Sequence, residues 1–495
     1  MPRRAARRHP RRAHPPHPLL LKAIMTATLS SPPAPPRPAR RPGWFGAFLV
    51  RLHFYAGILV GPFILVAALS GALYAIAPTI EQAVYARQLH APATDTQLTL
   101  GEQVEIAEAH VAGDATLSAV RPAPAPGDTT RVMFAQDGLG ASESRAVFID
   151  PGTGEVRGDE TVYGTSGSLP LRTAISTLHR NLGLGEPGRL YSELAASWLG
   201  VVVVAGVALW IIRIRTARTK KDFVRPSRRY TGYRRVFSWH TSVGIWVALG
   251  AVFLSATGIT WSTYGGQHVS NLRAALDWTT PAVSTSLSGD TGGGDAHAGH
   301  GAASAALEVE PGTFDDVLAV AQSVNIDTGL IQITPPSEPG VAWVVQEIDR
   351  GSPTHADAVA ADGDSLEPVD RVDFADFSLP AKLATWGVSI HMGTMFGLAN
   401  QVVMFLLAVG IAGMVVLGYA MWVRRRPTKT ARVGMPPRRG VLDGAPWWGV
   451  AAVVAGGVLL GLALPLVGWT LAAFVVVDVV VDAVQRRRAG AAAAG

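Results

Sequence analysis

Long apolar runs alternate with polar stretches along this 495-residue chain, and the alternation predicts helices that cross a membrane. A spanning helix needs about 20 mainly apolar residues. Runs of that kind occupy 46–77, 193–212, 238–261, 399–423, 446–464 and 466–485. Only Pro465 separates the last two, so they predict a tight helical hairpin. The pattern therefore indicates a polytopic membrane protein with six spans.

Basic residues concentrate in the shorter segments that lie between the apolar runs. Residues 1–51 contain 11 Lys and Arg and no acid, and residues 213–235 contain ten against one acid. The long segments 78–193 and 262–385 are acidic instead, with 15 acids against eight bases and 18 against four. Short basic loops stay in the cytoplasm because Lys and Arg resist translocation. We therefore expect both termini inside, the two acidic segments outside, and no nucleic-acid partner despite the net charge of +6.

The chain contains an internal repeat whose two halves have the same orientation. Each half has an apolar helix, an acidic segment and a second apolar helix. The positions of the first helix that match at one constant offset are His53 and His240, Gly57 and Gly244, Ser70-Gly71 and Thr257-Gly258, and Tyr74 and Trp261. The positions of the second helix that match at a second, larger offset are Leu178-His179 and Ile390-His391, Gly185 and Gly397, Gly206 and Gly418, and Trp210 and Trp422.

Each acidic segment has the signals of a small α+β domain. Helices are predicted over 98–111 and 313–324, each followed by short runs typical of strands. The predicted fold is an α-helical polytopic membrane protein with a duplicated four-helix core, a C-terminal hairpin and two extracytoplasmic α+β domains. The predicted segments are a disordered basic cytoplasmic tail (1–43), a first span (44–77), a first outer domain (78–192), a second span (193–212), a basic loop (213–237), a third span (238–261), a second outer domain with a Gly-rich insert (262–385), an outer His segment with the fourth span (386–423), a cytoplasmic loop (424–445), the hairpin (446–485) and a cytoplasmic tail (486–495).

Four of the 13 histidines, His53, His179, His240 and His391, occupy equivalent positions in the two halves. The first of each half lies where a span leaves the cytoplasmic face, and the second lies at the outer end of a span. A haem b needs two axial imidazoles on facing helices with an apolar slot between them. The chain has no Cys, which excludes disulfides, iron–sulfur clusters and covalently attached haem. We therefore predict that these four histidines ligate the iron of two haem b groups across the bilayer.

Simpler interpretations exist for these and for other polar residues. The four histidines are alternatively interfacial side chains that anchor helix ends. His297 and His300, beside Asp295 in a Gly-rich stretch, predict either a weak surface metal site or a solvated linker. The run from Gly183 to Gly188 fits a dinucleotide-binding pattern, but no strand precedes it, so we interpret it as a chance match. No flavin, nicotinamide or hydrolytic motif is present, so electrons would have to enter from a partner or from quinol.

The chain resembles the PepSY-associated transmembrane family, the iron-regulated membrane proteins of bacteria. The resemblance covers about residues 44–426. Its motifs are Arg51-Leu52-His53, Leu69-Ser70-Gly71, Phe148-Ile149-Asp150-Pro151-Gly152-Thr153-Gly154-Glu155, Leu178-His179-Arg180, Gly185-Glu186-Pro187-Gly188, Trp239-His240, Ile390-His391-Met392-Gly393 and Phe396-Gly397. It implies a multi-pass protein of the bacterial cytoplasmic (inner) membrane whose two outer domains are PepSY-like.

Some members of that family are similar to reductases that deliver electrons to ferric siderophores through haems held by membrane histidines. By this analogy His53 and His240 bind an inner haem, and His179 and His391 bind an outer one. The implied reaction is reduction of ferric iron or a ferric siderophore at the outer face, with a quinol or a cytoplasmic reductase as electron donor.

Two other functions remain open. PepSY modules are also associated with protease inhibition or regulation, which implies a non-enzymatic sensor or protease-regulatory membrane protein. His297, His300 and Met392 suggest instead copper handling at the outer face.

Overall fold

Helices dominate the part of the chain that the structure describes. The structure is a computed structural model that describes residues 43–113, 115–217, 219–288, 307, 309–327, 329–425, 436, 437, 440, 442 and 444–494. The predicted basic tail, apart from Gly43, lies outside the described residues, as do His297 and His300 of the Gly-rich insert. The described residues from Trp44 onward form one compact unit.

The described elements are 13 α-helices, eight β-strands and two short 3₁₀ helices, Lys220–Phe223 and Phe374–Asp376. The α-helices are α1 (Trp44–Leu59), α2 (Gly61–Val84), α3 (Ala86–Leu89), α4 (Leu100–Val111), α5 (Pro170–Asn181), α6 (Glu186–Thr216), α7 (Gly232–Thr260), α8 (Tyr264–Ala275), α9 (Thr313–Ser323), α10 (Leu379–His391), α11 (Leu398–Arg424), α12 (Trp447–Ala463) and α13 (Pro465–Ala494). The strands are β1 (Thr116–Arg121), β2 (Thr130–Ala135), β3 (Glu143–Ile149), β4 (Val156–Tyr163), β5 (Ile331–Thr334), β6 (Trp343–Glu347), β7 (Ala358–Ala361) and β8 (Pro368–Val372).

Five of the described helices are long and apolar enough to cross a membrane. They are α2, α6, α7, α11 and the part Pro465–Gln485 of α13. The apolar helix α12 has only 17 residues, which corresponds to roughly 25 Å, slightly less than the thickness of a bilayer's hydrocarbon core. The fold is therefore that of a polytopic membrane protein, and five of the six predicted spans have the required length.

The first predicted span consists of two helices, because Pro62 interrupts the backbone hydrogen bonds. Helix α2 begins at Gly61, and Pro62 has no N–H to donate to the carbonyl of Ile58. The hydroxyl of Tyr419 on α11 donates to that carbonyl instead, at 2.5 Å. The interruption therefore comes with a side-chain contact between the first and the fourth core helix.

A single antiparallel sheet of eight strands connects to the helical bundle through α3 and α5. Its strand order is β4-β3-β2-β1-β5-β6-β7-β8. Each acidic segment contributes four consecutive strands, and the pairing of Val120 in β1 with Ile333 in β5 joins them. We expected two separate α+β domains, whereas the structure has two halves of one sheet. The reason is that β1 and β5, which would be free edges in separate domains, satisfy their backbone groups on each other.

Helices α4 and α9 cover one face of the sheet and fasten its two halves together. Val104 of α4 and Phe314 of α9 are fully buried against the strands. Asp315, in the first turn of α9, accepts hydrogen bonds from the backbone N–H groups of Leu100 (2.7 Å) and Gly101 (2.8 Å) at the start of α4. Because a carboxylate is stabilised by the unpaired amides of a helix N-terminus, this contact favours the joined arrangement.

Small side chains allow the core helices to pack closely. Ala56, Ala195, Ala251 and Ala412, from α1, α6, α7 and α11, are buried in one apolar cluster. Small residues at helix contacts let the backbones approach, which is the usual basis of helix association in membranes. Val467 of α13 is fully buried in the same cluster, so the C-terminal hairpin is part of the bundle.

Candidate functional site

The four predicted histidines lie as two pairs in the structure. The ring centroids of His53 on α1 and His240 on α7 are 6.1 Å apart, with the ring planes at 78°. His179, in the last turn of α5, and His391, the last residue of α10, are close enough for their charges to interact. We call His53 and His240 the far pair, and His179 and His391 the sheet-side pair, because α5 and α10 follow strands of the sheet directly.

The two pairs lie at opposite ends of the bundle. Ser70 and Thr257 each contact a sheet-side histidine, and each follows a far-pair histidine, His53 or His240, at the same spacing in the sequence. That spacing corresponds to about five helical turns, or roughly 25 Å. The hydrocarbon core of a bilayer is about 30 Å thick, so the pairs are separated by most of the membrane.

A hydroxyl group holds each sheet-side histidine. The Oγ of Ser70 donates to the carbonyl four residues earlier in its own helix (2.9 Å), so it accepts from Nδ1–H of His179 at 3.0 Å. Thr257 repeats the arrangement in the second half, donating to the carbonyl four residues earlier (2.8 Å) and accepting from Nδ1–H of His391 at 2.5 Å. A hydroxyl that donates its one proton to a helix carbonyl can only accept from the imidazole, and in this arrangement the proton of both imidazoles is on Nδ1.

Backbone groups at matched positions lie beside Nδ1 of each far-pair histidine. Nδ1–H of His53 donates to the carbonyl of Val202 on α6 at 2.9 Å. Nδ1 of His240 is buried without a hydrogen-bond partner among the described residues, and the backbone of Met414 on α11 lies near it. Val202 and Met414 are related by the same offset as the other matched positions of the second helices. All four predicted ligands therefore face equivalent neighbours.

These contacts leave the other ring nitrogen available. With Nδ1–H bonded in His53, His179 and His391, the lone pair of each neutral imidazole is on Nε2. Metal-ligating histidines characteristically donate their second ring N–H in this way, which fixes the tautomer and the ring orientation. Among the described residues no group of three or more His, Asp or Glu forms a metal site. Each pair therefore suits a cofactor that needs only two protein ligands.

Glycines let two of the rings pack directly against the backbone of a neighbouring helix. A Cβ added to Gly71 would lie 3.0 Å from Cε1 of His179, and one added to Gly206 would lie 3.0 Å from Cε1 of His53. All four rings are surrounded by the bundle, yet each retains some accessible surface. Two imidazoles per pair, each with Nε2 as the remaining donor, are the donor set that a bis-histidine haem requires.

An aromatic side chain also accompanies each sheet-side histidine. The ring of Tyr74 stacks on His179, with centroids 6.2 Å apart and planes at 13°. Trp261, the position that the repeat matches to Tyr74, contacts His391 edge-on at 5.2 Å. Only the spatial arrangement reveals that these two aromatic residues border the site.

The glycine run that resembles a dinucleotide motif serves a helix–helix turn. Gly185 precedes α6 with φ 64° and ψ −137°, and Gly397 precedes α11 with φ 59° and ψ −133°. A Cβ on Gly188 would lie 1.7 Å from the carbonyl oxygen of Asn181, so only glycine fits there. The run thus places the sheet-side histidine helix against the following span.

Sequence reasoning missed a group of arginines beside the sheet-side pair. Arg172 lies on α5 two helical turns before His179, which puts both on one face of that helix. Its guanidinium is centred 5.9 Å from the ring centroid of Tyr74. The spacing of Arg172 and His179 was the available signal, but the other arginines come from distant strands.

A family model described as the PepSY-associated TM region matches residues 50–425 of the chain. The matched range contains both histidine pairs and all eight strands. It stops before the C-terminal hairpin. No curated protein matches the chain.

Proposed function

Because the chain belongs to the PepSY-associated transmembrane family, we propose that it transfers electrons across the bacterial cytoplasmic membrane through two haem b groups. The far pair ligates one haem and the sheet-side pair ligates the other. The electrons reduce ferric iron or a ferric siderophore on the side of the membrane that carries the sheet.

The observation that carries the proposal is the matched anchoring of the four histidines. Ser70 and Thr257 hold one histidine in each half, and Val202 and Met414 border the other. Interfacial histidines that merely anchor helix ends do not require the same Nδ1 neighbour in both halves. Matched neighbours of Nδ1 are expected if each half supplies one ligand to each of two iron sites, because the neighbour orients the ligating ring.

The residues of the chain would orient and isolate the cofactor. A bound haem supplies reversible one-electron chemistry between ferric and ferrous iron, with a potential that depends on axial ligands and burial. The Nδ1–H bonds of His53, His179 and His391 hold each imidazole in the tautomer whose Nε2 can ligate. The surrounding apolar helices exclude water and thereby limit the reorganisation that accompanies each electron transfer.

The charge distribution supports the direction of transfer. Short basic segments at the far-pair end favour a cytoplasmic location, and the acidic segments that build the sheet favour the outside. A quinol or a cytoplasmic reductase would donate electrons at the far pair. Oxidation of one quinol to quinone releases two electrons and two protons, which suffices for two ferric ions.

Iron release explains why a cell would reduce ferric complexes at this face. Siderophores hold hard Fe(III) through oxygen ligands, and Fe(II) binds such ligands far more weakly. One electron per ferric ion therefore frees the metal for uptake. The competing function, a non-enzymatic sensor or protease regulator, predicts a protein without haem, and copper handling would rely on His297 and His300, which the structure does not describe.

Vesicles containing the purified protein test the proposed reaction. A membrane-impermeant reductant is trapped inside, a ferric complex and a ferrous-specific chelator are placed outside, and haem absorbance and the coloured ferrous chelate are followed together. We expect external Fe(II) to form only with protein present and to be lost in His179→Ala, although the haem of the far pair still becomes reduced. His90→Ala is the control, because His90 is an exposed side chain paired with Asp128 on the sheet at 2.9 Å.

Two results of the vesicle experiment would contradict the proposal. If haem-containing wild-type vesicles form external Fe(II) no faster than empty vesicles, the reductase proposal is wrong even though haem is bound. If His90→Ala and His179→Ala lose activity equally, the sheet-side pair has no special role.

A further inference from the structure

Three arginines contact the loop 164–168, which leads from β4 into the sheet-side histidine helix α5, and a fourth lies in the first turn of that helix. Arg121 of β1 donates to the carbonyl of Thr165 at 3.0 Å, and Arg131 of β2 donates to the carbonyl of Gly167 at 3.1 Å. Arg350, after β6, donates to the hydroxyl of Thr165 at 2.6 Å. The fourth is Arg172, in the first turn of α5. Residues from both halves of the sheet thus surround a single loop.

Negative charge is scarce in this cluster. Glu81 pairs with Arg172 at 3.4 Å, but Arg121, Arg131 and Arg350 form no ion pair within the described residues. Burial, together with the nearby positive charges of Arg131 and Arg350, lowers the pKa of Arg121 to about 9. Burial likewise lowers the pKa of Arg131 and the pKa of Arg350. The negative charges of Glu81 and Asp128 partly oppose the shift at Arg131. Uncompensated buried charge is costly, so the cluster favours binding of an anion.

Arg172 is the arginine with unused donors. It is 6% exposed, and its Nε and Nη2 are buried without hydrogen-bond partners in the part of the chain that the structure describes. Its guanidinium lies against Tyr74, whose ring stacks on His179. The ring of Tyr74 therefore lies between the guanidinium of Arg172 and His179.

Arg350 reaches the other member of that pair. Its Nη1 donates to Sδ of Met392 at 3.3 Å, and Met392 directly follows His391. The positive charge of Arg172 also acts on Arg350, so the two guanidinium groups lie within range of electrostatic interaction. In the second half of the repeat, Ala384 occupies the position matched to Arg172. The second half therefore has no arginine equivalent to Arg172.

We infer that Arg172 and Arg350 bind a carboxylate of a ligand held at the sheet-side pair. Guanidinium groups bind carboxylates through paired N–H donors, and such charge-assisted hydrogen bonds are about twice as strong as neutral ones. The inference rests on the proposed function for the source of the carboxylate, which is either a propionate of the haem or a carboxylate of the ferric complex that is reduced. The chemistry is the same for both sources, and binding measurements distinguish them.

The test compares wild-type protein with Arg172→Gln, Arg172→Lys and Arg350→Gln, and uses Arg180→Gln as the control. Arg180 is on the same helix but is exposed, and its guanidinium contacts the ring and hydroxyl of Tyr163. Arg172→Lys retains the charge opposite Glu81 if loss of that charge prevents folding. The haem-free protein is titrated with haem b and with its dimethyl ester, and the loaded protein is titrated with ferric citrate by tryptophan fluorescence.

If the anion is a propionate, haem b should bind about tenfold to a hundredfold more weakly to Arg172→Gln and Arg350→Gln, whereas the ester should bind all variants equally. If the carboxylate belongs to the substrate, haem b affinity should be unchanged and ferric citrate should bind about tenfold more weakly. Unchanged affinities for all three probes, relative to Arg180→Gln, overturn the inference.

Failure of the proposed function gives a different result. A wild-type protein that binds no haem contradicts the proposed function alone, and citrate is then titrated into the haem-free protein. Citrate binding that is weakened in Arg172→Gln still supports a carboxylate site. Citrate binding that Arg172→Gln leaves unchanged overturns the site as well.

Discussion

Replacement of Ser70 by Ala should weaken the sheet-side haem and leave the far haem intact. The hydroxyl of Ser70 holds the ring of His179 through a hydrogen bond of 3.0 Å to Nδ1. Its loss frees the imidazole to rotate and leaves a polar N–H without this partner inside the protein. Thr257→Val, which is nearly isosteric, removes the corresponding hydrogen bond to His391.

The magnitude follows from the loss of one hydrogen bond at a buried ligand. A net hydrogen bond contributes about 1 kcal/mol, and a buried donor left unpaired costs about 1–3 kcal/mol. Loss of the partner that orients a metal-ligating histidine typically lowers metal affinity by about 10- to 100-fold, which corresponds to about 1.4–2.8 kcal/mol. We therefore expect haem to dissociate from the sheet-side pair at least about tenfold faster in Ser70→Ala.

The assay is haem transfer from the purified protein to an excess of haem-free myoglobin, followed by absorbance. Wild-type protein should release its two haems in two phases, and Ser70→Ala should accelerate only one. Ser255→Ala is the matched control: Ser255 is also buried in the bundle, but its hydroxyl donates to the carbonyl of Ala196 at 2.7 Å and contacts no histidine among the described residues. Equal acceleration in Ser255→Ala, or acceleration of both phases in Ser70→Ala, would refute the reasoning.

Gly206→Ala puts a methyl group 3.0 Å from Cε1 of His53, so haemochrome spectra should show loss of the far haem, whereas Gly418→Ala, which has open space at its Cβ, should retain both haems. Hydrogen bonds from Arg145 lower the pKa of the Asp159 carboxyl, so the pair stabilises the fold above the unfolded-state pKa, about 4, and the stabilisation is lost as the pH falls through the lower folded-state pKa. The free energy of unfolding of Asp159→Asn should therefore be lower than that of the wild type at pH 7, by at most about 1 kcal/mol. This difference should shrink in acid, and a difference that does not change with pH contradicts the reasoning.

The membrane helices were predictable because they depend on local composition. The run 399–423 located α11 to within one residue at both ends, and the runs 193–212 and 238–261 located the C-terminal ends of α6 and α7 to within four residues and one residue. The interruption between α1 and α2 at Val60 was not predicted, since the run of apolar residues continues through it. Pro62 was the available signal, but its consequence depends on the distant hydroxyl of Tyr419.

The sheet was only partly predictable, because its central pairing is between distant segments. The runs 131–134, 146–149, 329–334 and 342–348 predict β2, β3, β5 and β6, and the run 155–157 predicts the start of β4. No run predicts β1, β7 or β8. No local pattern indicates that Val120 and Ile333, which come from the two different acidic segments, form the joint between two halves. The expectation of separate domains failed for that reason.

The histidine positions were predictable from the repeat, but their surroundings were not. The matched positions Ser70 and Thr257 were identified from sequence without any indication that they contact His179 and His391. The arginine cluster was missed since it has no counterpart in the repeat and combines residues of β1, β2, α5 and the segment after β6. The contact between Arg172 and Tyr74 became visible only in the folded structure.

The most direct test is the haem content of the purified protein, measured from a reduced-minus-oxidised spectrum after growth with sufficient haem. Two b-type haems per chain are expected in the wild type. His53→Ala and His240→Ala should each lose the same haem, and His179→Ala and His391→Ala should each lose the other. A colourless wild-type protein, or four variants that all retain two haems, would contradict the proposal that the histidine pairs form an electron path across the membrane.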